Sequence, residues 1–228
     1  MIEEQVNFKS DGLKLEGVLS YHENMLNPRL MLLCSPHPHL GGDMENNVIT
    51  SLGNGLAEKG YATLRFNYRG VGNSESRFDN IADKYNYWEN VLKSDDCSDA
   101  LIDAVSALDY LVSSVDNHEV YVAGYSFGAV VAMRLSVMNE NIKACASIST
   151  PFTRFDFSFL SGCVRPKLFI CADNDFATSV DEVKEGMKNI PEPKILEIIE
   201  DCDHFYIERE PEIANKVYNF FNSIHQPG

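Results

Sequence analysis

Eight short apolar runs alternate along this chain with longer stretches whose apolar residues recur at helical spacing. A run with no polar face must be covered on both sides, and the amphipathic stretches between the runs can supply that cover. The pattern predicts an α/β fold with a mostly parallel eight-stranded sheet and helices on both faces. Strands are expected at 4–9, 13–20, 29–34, 62–67, 119–124, 144–149, 167–172 and 194–199, and helices at about 48–59, 96–114, 127–138, 180–188 and 211–223. Asp11-Gly12, between the first two runs, is the turn signal of a hairpin. No internal repeat, low-complexity segment or linker divides the sequence. With 228 residues, 44% of them hydrophobic, one large core is within reach, so a single domain over 1–228 is expected.

Charge narrows what such a domain binds. The formal net charge of −15 repels phosphate backbones and anionic headgroups, and no basic cluster offsets it, so neither nucleic acid nor a membrane surface is expected as a partner. The opening MIEEQVNFKSDG has neither the basic nor the apolar region of a secretory signal, and no apolar run approaches the roughly 20 residues that span a bilayer. A cytoplasmic location is the expectation. Cys34, Cys97, Cys145, Cys163, Cys171 and Cys202 are scattered without a CxxC pair, which reads as buried reduced thiols rather than metal ligands.

Residues 120–135, VYVAGYSFGAVVAMRL, place Ser126 where a strand ends and a helix begins, with Gly124 and Gly128 two positions to either side. A serine held in a strained turn brings strand and helix so close that neither flanking position tolerates a Cβ. The same turn leaves the Phe127 N–H at a helix N-terminus, where it can stabilise negative charge. Ser126 is the candidate nucleophile.

A serine hydroxyl is a weak nucleophile unless a base takes its proton and a carboxylate orients the base. His204 follows a strand-like run in IIEDCDHFYIE, on a loop expected at the same sheet edge as Ser126. His22, His118 and His225 fall in turn or terminal positions and read as surface residues. For the acid, LFICADNDFAT offers Asp175, with Asp173 in reserve. Asp203 is badly placed, because neighbouring side chains of an extended chain diverge. The order Ser126, Asp175, His204 is the Ser…Asp…His chain order of one class of triad enzymes.

Six segments, SPHPHLGGDMENNV (35–48), LRFNYRGVGNSES (64–76), VAGYSFGAVVAMRL (122–135), FDFSFL (155–160), LFICADND (168–175) and CDHFY (202–206), carry a resemblance that runs nearly end to end. In order and spacing the chain resembles the α/β-hydrolase-fold serine hydrolases, in particular their small cap-less bacterial branch. The resemblance implies that Asp175 is the triad acid. It also implies that the His37 amide, between Pro36 and Pro38 with no N–H of their own, joins the Phe127 amide as the second oxyanion donor. Ser35 stands where relatives commonly have histidine, and Ala172 where they have glycine. Gly41 and Gly42 are expected to let the loop pass close to substrate.

No cofactor is expected, and no metal: His37 and His39 lack a third ligand at fitting spacing. RGVGNSES (69–76) lacks both the Walker and the dinucleotide patterns and reads as a tight loop in which Arg69 makes structural contacts. The stretch 149–166 is too short for a helical cap. A shallow, open pocket for a small or medium acyl ester follows, with a thioesterase, a peptidase or a non-catalytic binding protein as alternatives. Oligomeric state is left open. IADKYNYWENVLKS (81–94) is an insertion of about a dozen residues relative to a typical connection. Its Tyr85 and Trp88 either roof the pocket or pack one helical turn onto the body of the protein. With His39 and Tyr125 they are the candidate substrate-binding residues.

Overall fold

The computed structural model describes residues 1–23, 27–115 and 119–225; His118 lies outside them, as does the side chain of His225. Strands β1 (Ile2–Ser10) and β2 (Leu13–Tyr21) form the expected hairpin, with Asp11 and Gly12 at φ 47° and 82°, the left-handed conformation a tight turn between twisted strands requires. β2 pairs antiparallel with β4 (Tyr61–Phe66). From β4 onward the neighbours β3 (Arg29–Cys34), β5 (Val120–Tyr125), β6 (Ile142–Ile148), β7 (Lys167–Ala172) and β8 (Lys194–Ile199) are parallel. The sheet order is β1-β2-β4-β3-β5-β6-β7-β8.

Successive side chains of a strand face opposite ways, and the two cores follow that alternation. Leu30 and Leu32 of β3 and Val120 and Val122 of β5 enter one core with helices α2 (Ile81–Ser94), α3 (Ser98–Ser114), α4 (Phe127–Met138) and α5 (Val180–Met187). Met31, Leu33, Tyr121 and Ala123 enter the other with α1 (Asn47–Ala57) and α6 (Glu210–His225). With both faces covered, the carboxyl ends of the parallel strands are left as the edge where loops can gather chemistry.

The segment 81–94 is a full helix, not the single turn of one of the two expectations. Asn80 caps it, its side chain accepting from the Asp83 N–H at 2.8 Å, and Glu89–Lys93 adds an i,i+4 pair. Trp88 and Val91 of α2 are buried, with Tyr87 and Leu92 partly buried beside them against the same core, and this packing together with the cap holds the helix. All six cysteines are buried and unpaired. Among the described residues no helix is long and apolar enough to cross a membrane.

Arg69 is structural, as expected. It is 4% exposed, its guanidinium meets the fully buried Asp103 at 2.7 Å and Asp99 at 2.7 Å, and its own N–H donates to Asp103 as well. Ser10, at the end of β1, donates a further 2.7 Å bond to Asp103. One carboxylate thereby ties the hairpin, the loop after β4 and α3 together. The same loop is pinned by Glu16, which accepts from the Asn73 N–H and the Asn67 amide. Asp103→Ala strands the Arg69 charge in the interior and should cost about 3–5 kcal/mol of unfolding free energy, read from urea denaturation midpoints; a loss below 1 kcal/mol would show that the cluster does not hold these elements.

Candidate active site

Ser126 sits at φ 55° and ψ −116°, outside the regions a non-glycine residue normally occupies, at the junction of β5 and α4. The glycines explain how the junction survives. A Cβ on Gly124 would lie 2.0 Å from the Gly128 carbonyl oxygen, and one on Gly128 would lie 2.0 Å from the Cys34 carbonyl oxygen at the end of β3. Helix α4 therefore starts in backbone contact with two strand ends. Its first amide, that of Phe127, has no acceptor among the described residues. Ser126 makes no capping bond, and its hydroxyl stays available.

The loop after β3 supplies a second unspent donor. The His37 carbonyl accepts from the Leu40 and Gly42 amides at 3.0 and 3.1 Å, which folds 37–42 into one compact turn, while the His37 N–H has no acceptor among the described residues. Gly42 was expected to approach substrate; it approaches the loop itself. A Cβ there would be 2.5 Å from the Pro36 carbonyl and 2.9 Å from the His37 nitrogen, so glycine is needed to fit against the peptide that carries the donor. The His37 ring is buried, its Nδ1 accepting from the His39 N–H at 3.1 Å. Burial, aided by His39 and Arg154, lowers its pKa to about 3, so the ring is neutral.

At the ends of β7 and β8, Asp175 and His204 meet. Both Asp175 oxygens lie 2.9 Å from His204 Nδ1. The carboxylate thus fixes the proton on Nδ1 and leaves the Nε2 lone pair free to act as base. Burial pushes the Asp175 carboxyl upward, but hydrogen bonds from His204, Ser149 and the Ala177 amide outweigh it and hold the pKa below the usual carboxylate range. Asp175 is ionised where its work requires it. Asp173 has a different task, accepting from the Asp201 and Cys202 amides at 3.0 and 3.1 Å, which clamps the loop that carries His204. Asp203 is exposed and caps the Phe205 N–H.

The fold that positions these groups is shared with known proteins. A family model described as the alpha/beta hydrolase fold matches residues 38–160. The chain belongs to the α/β-hydrolase family. An uncharacterized protein of Rickettsia prowazekii is 30% identical over 229 residues, covering 96% of this chain and 89% of its own length. An α/β hydrolase of unknown function from Agrobacterium tumefaciens is 27% identical, with a TM-score of 0.80 over 96% of this chain and 95% of that one. A serine hydrolase without a lid from Xanthomonas campestris superposes with a TM-score of 0.82 at 21% identity, over 99% of this chain and 96% of that one.

Within this α/β hydrolase the remaining expected site residues fall into three environments. Tyr125 is buried on the α1/α6 face, its hydroxyl donating to the His204 carbonyl at 2.6 Å; it braces the histidine loop and offers no open surface. Trp88 is buried against His37, Tyr68 and Phe127 with ring centroids 5.4, 5.8 and 6.2 Å away. That placement corrects the idea that Trp88 and Tyr85 form one roof. Trp88 wedges the 37–42 loop against the start of α4, and Tyr85, half-exposed, lies over His39 at 4.1 Å.

Sequence reasoning missed Ser149 and Tyr206. Ser149 follows β6 at φ 50°, and its hydroxyl donates to Asp175 at 2.6 Å while sitting 2.7 Å from the Tyr206 hydroxyl. With the Ser149 proton committed to Asp175, Tyr206 is the donor in that second bond. The available signal was a serine at the carboxyl end of a strand flanking the elbow.

Two variants probe these supports. Ser149→Gly keeps the left-handed backbone without strain but removes a charge-assisted bond, and should lower kcat about tenfold; an unchanged kcat would make Ser149 irrelevant to Asp175. Gly42→Ala displaces the His37 peptide and should lower kcat about 100-fold, as loss of one oxyanion donor does, whereas Gly41→Ala, with open space around its Cβ but φ 79°, should mainly lower the Tm. Equal kcat losses in the two glycine variants would refute the assignment of the His37 amide.

Proposed function

We propose that this protein is a serine hydrolase that cleaves small or medium acyl esters through an acyl-enzyme. The observation that carries the proposal is the convergence of four groups on one sheet edge: the strained Ser126, the Asp175–His204 pair, and the unspent amides of His37 and Phe127. Ser126 Oγ attacks the ester carbonyl as His204 Nε2 takes its proton. The two amides bind the oxyanion that forms. His204 returns the proton to the alcohol oxygen, the C–O bond breaks, and water then repeats the cycle on the acyl-enzyme to release the acid.

Two observations favour an uncharged ester. The connection between β6 and β7 holds only a five-residue turn of helix, Ser158–Gly162, so nothing of cap size follows the elbow helix. Around His204 the exposed acidic residues Glu200, Asp201, Asp203 and Glu208 give the mouth a negative field, against which a phosphate-bearing thioester or an anionic peptide would have to approach.

Covalent labelling tests the proposal. A fluorophosphonate should modify Ser126 in the native protein and nothing in Ser126→Ala, and ester turnover in that variant should fall by at least about 1,000-fold. Labelling that persists in Ser126→Ala, or turnover confined to thioesters or aminoacyl amides in a substrate panel, would overturn it.

A further inference from the structure

We propose that Phe176 and Phe205 form a binding site for the alcohol half of the substrate, and that this alcohol is apolar, an aryl-alkyl or medium-chain alkyl group. The inference rests on the hydrolase assignment and names its substrate class. Phe176 is 69% exposed and Phe205 54%, in a chain whose other large apolar side chains are mostly in the two cores. Both rings lie on the His204 imidazole, with centroids 5.3 and 6.1 Å from it and 5.4 Å from each other. Exposed apolar surface of this kind, fixed beside a reactive group, calls for an occupant.

Two features make the pair a site rather than two loose side chains. The backbone beneath each ring is pinned. Phe205 donates its N–H to Asp203 at 2.9 Å, and its carbonyl accepts from the Asn47 amide at 2.9 Å. Phe176 sits in the turn closed by the Ala177 and Thr178 amides on Asp175, at 2.8 and 3.1 Å. With the backbone held this way, binding has only the side-chain torsions of the two rings left to order.

The chemistry of the triad then decides which half of the ester they meet. His204 must hand its proton to the leaving oxygen, so that oxygen comes within about 3 Å of Nε2. The carbons attached to it lie next to whatever flanks the imidazole. On this protein three rings flank the imidazole, and of these Tyr125, 5.3 Å away, is buried, which leaves Phe176 and Phe205 as the exposed ones, while His39 and Tyr85, by the loop after β3, stand apart from the imidazole in the ring contacts. Full burial of one methylene corresponds to about fourfold in binding; on an open surface about half that effect in logarithmic terms remains, roughly twofold.

Two ester series separate the halves. Across methyl to hexyl acetates, the wild-type kcat/KM should rise about twofold per methylene of the alcohol, with 2-phenylethyl acetate above butyl acetate. In the Phe176→Ala/Phe205→Ala protein the alcohol series should flatten, while the slope across methyl acetate to methyl hexanoate is retained. Phe176→Leu should restore part of the alcohol slope. An unaltered alcohol slope in the double variant, or equal flattening of both series, overturns the site. Wild-type protein that is labelled at Ser126 yet shows no alcohol slope overturns the site and leaves the hydrolase assignment standing. Protein that neither labels nor turns over any ester overturns the hydrolase assignment and this site with it.

Discussion

The contact on which the site depends is between backbones, where α4 begins against the ends of β3 and β5. With carbonyl oxygens 2.0 Å from where the Cβ atoms of Gly124 and Gly128 would stand, no side chain fits between them. That closeness brings the Phe127 N–H beside the loop that leaves β3, and so beside the His37 N–H. Two dipoles from residues 90 positions apart in sequence can then point at one atom. The strain at Ser126 is tolerated because buried sheet and helix on every side over-determine it; nearly every residue of β5 and α4 around it is fully buried.

A second constraint is electrical. Asp175 must be an anion in a protein already carrying −15, with its side chain fully buried. Bare, it would take up a proton instead. The donors that prevent this come from β6, the β7 turn and the β8 loop, through Ser149, the Ala177 and Thr178 amides and His204. Tyr206, itself at φ 55°, feeds the same chain through Ser149. The carboxylate is thus the point at which three loops are joined, and its ionisation and their positions stand or fall together.

What could be read from sequence was whatever has a period or a forced geometry. The eight strands follow from apolar runs, and the elbow follows from a serine between two glycines. Asp175 and His204 follow from polar residues placed just after strands. Three things were illegible for physical reasons. The helix at 81–94 fully buries only Trp88 and Val91 and is polar over most of its length, so few apolar residues announce it in the sequence. The role of Gly42 depends on a contact within its own loop that spacing does not reveal. Ser149 and Tyr206 become neighbours only after β6 and the β8 loop are brought to one edge, a juxtaposition 57 residues apart that no local pattern encodes. The clamping role of Asp173 likewise needed coordinates, because the Asp201 and Cys202 amides that donate to it lie 28 and 29 residues away in sequence.

The neutrality of His37 explains how the 37–42 loop can be held without opposing the proposed chemistry. A protonated imidazole there would place a buried cation among Phe127, Trp88 and the loop backbone, at a desolvation cost that its pKa near 3 expresses. Kept neutral, the ring packs edge-on against Phe127 at 4.8 Å and Trp88 at 5.4 Å and accepts the His39 amide, so the loop is fixed by aromatic area and one hydrogen bond. Helix α2 brings two rings to this loop, the buried Trp88 to His37 and the half-exposed Tyr85 to His39. The charge developing on a carbonyl oxygen would then be met by fixed dipoles, the two amides and the start of α4, which need no reorganisation as the charge appears. A mobile or ionisable group in the same place would have to move or gain a proton with every turnover, and the aromatic packing around His37 removes both possibilities.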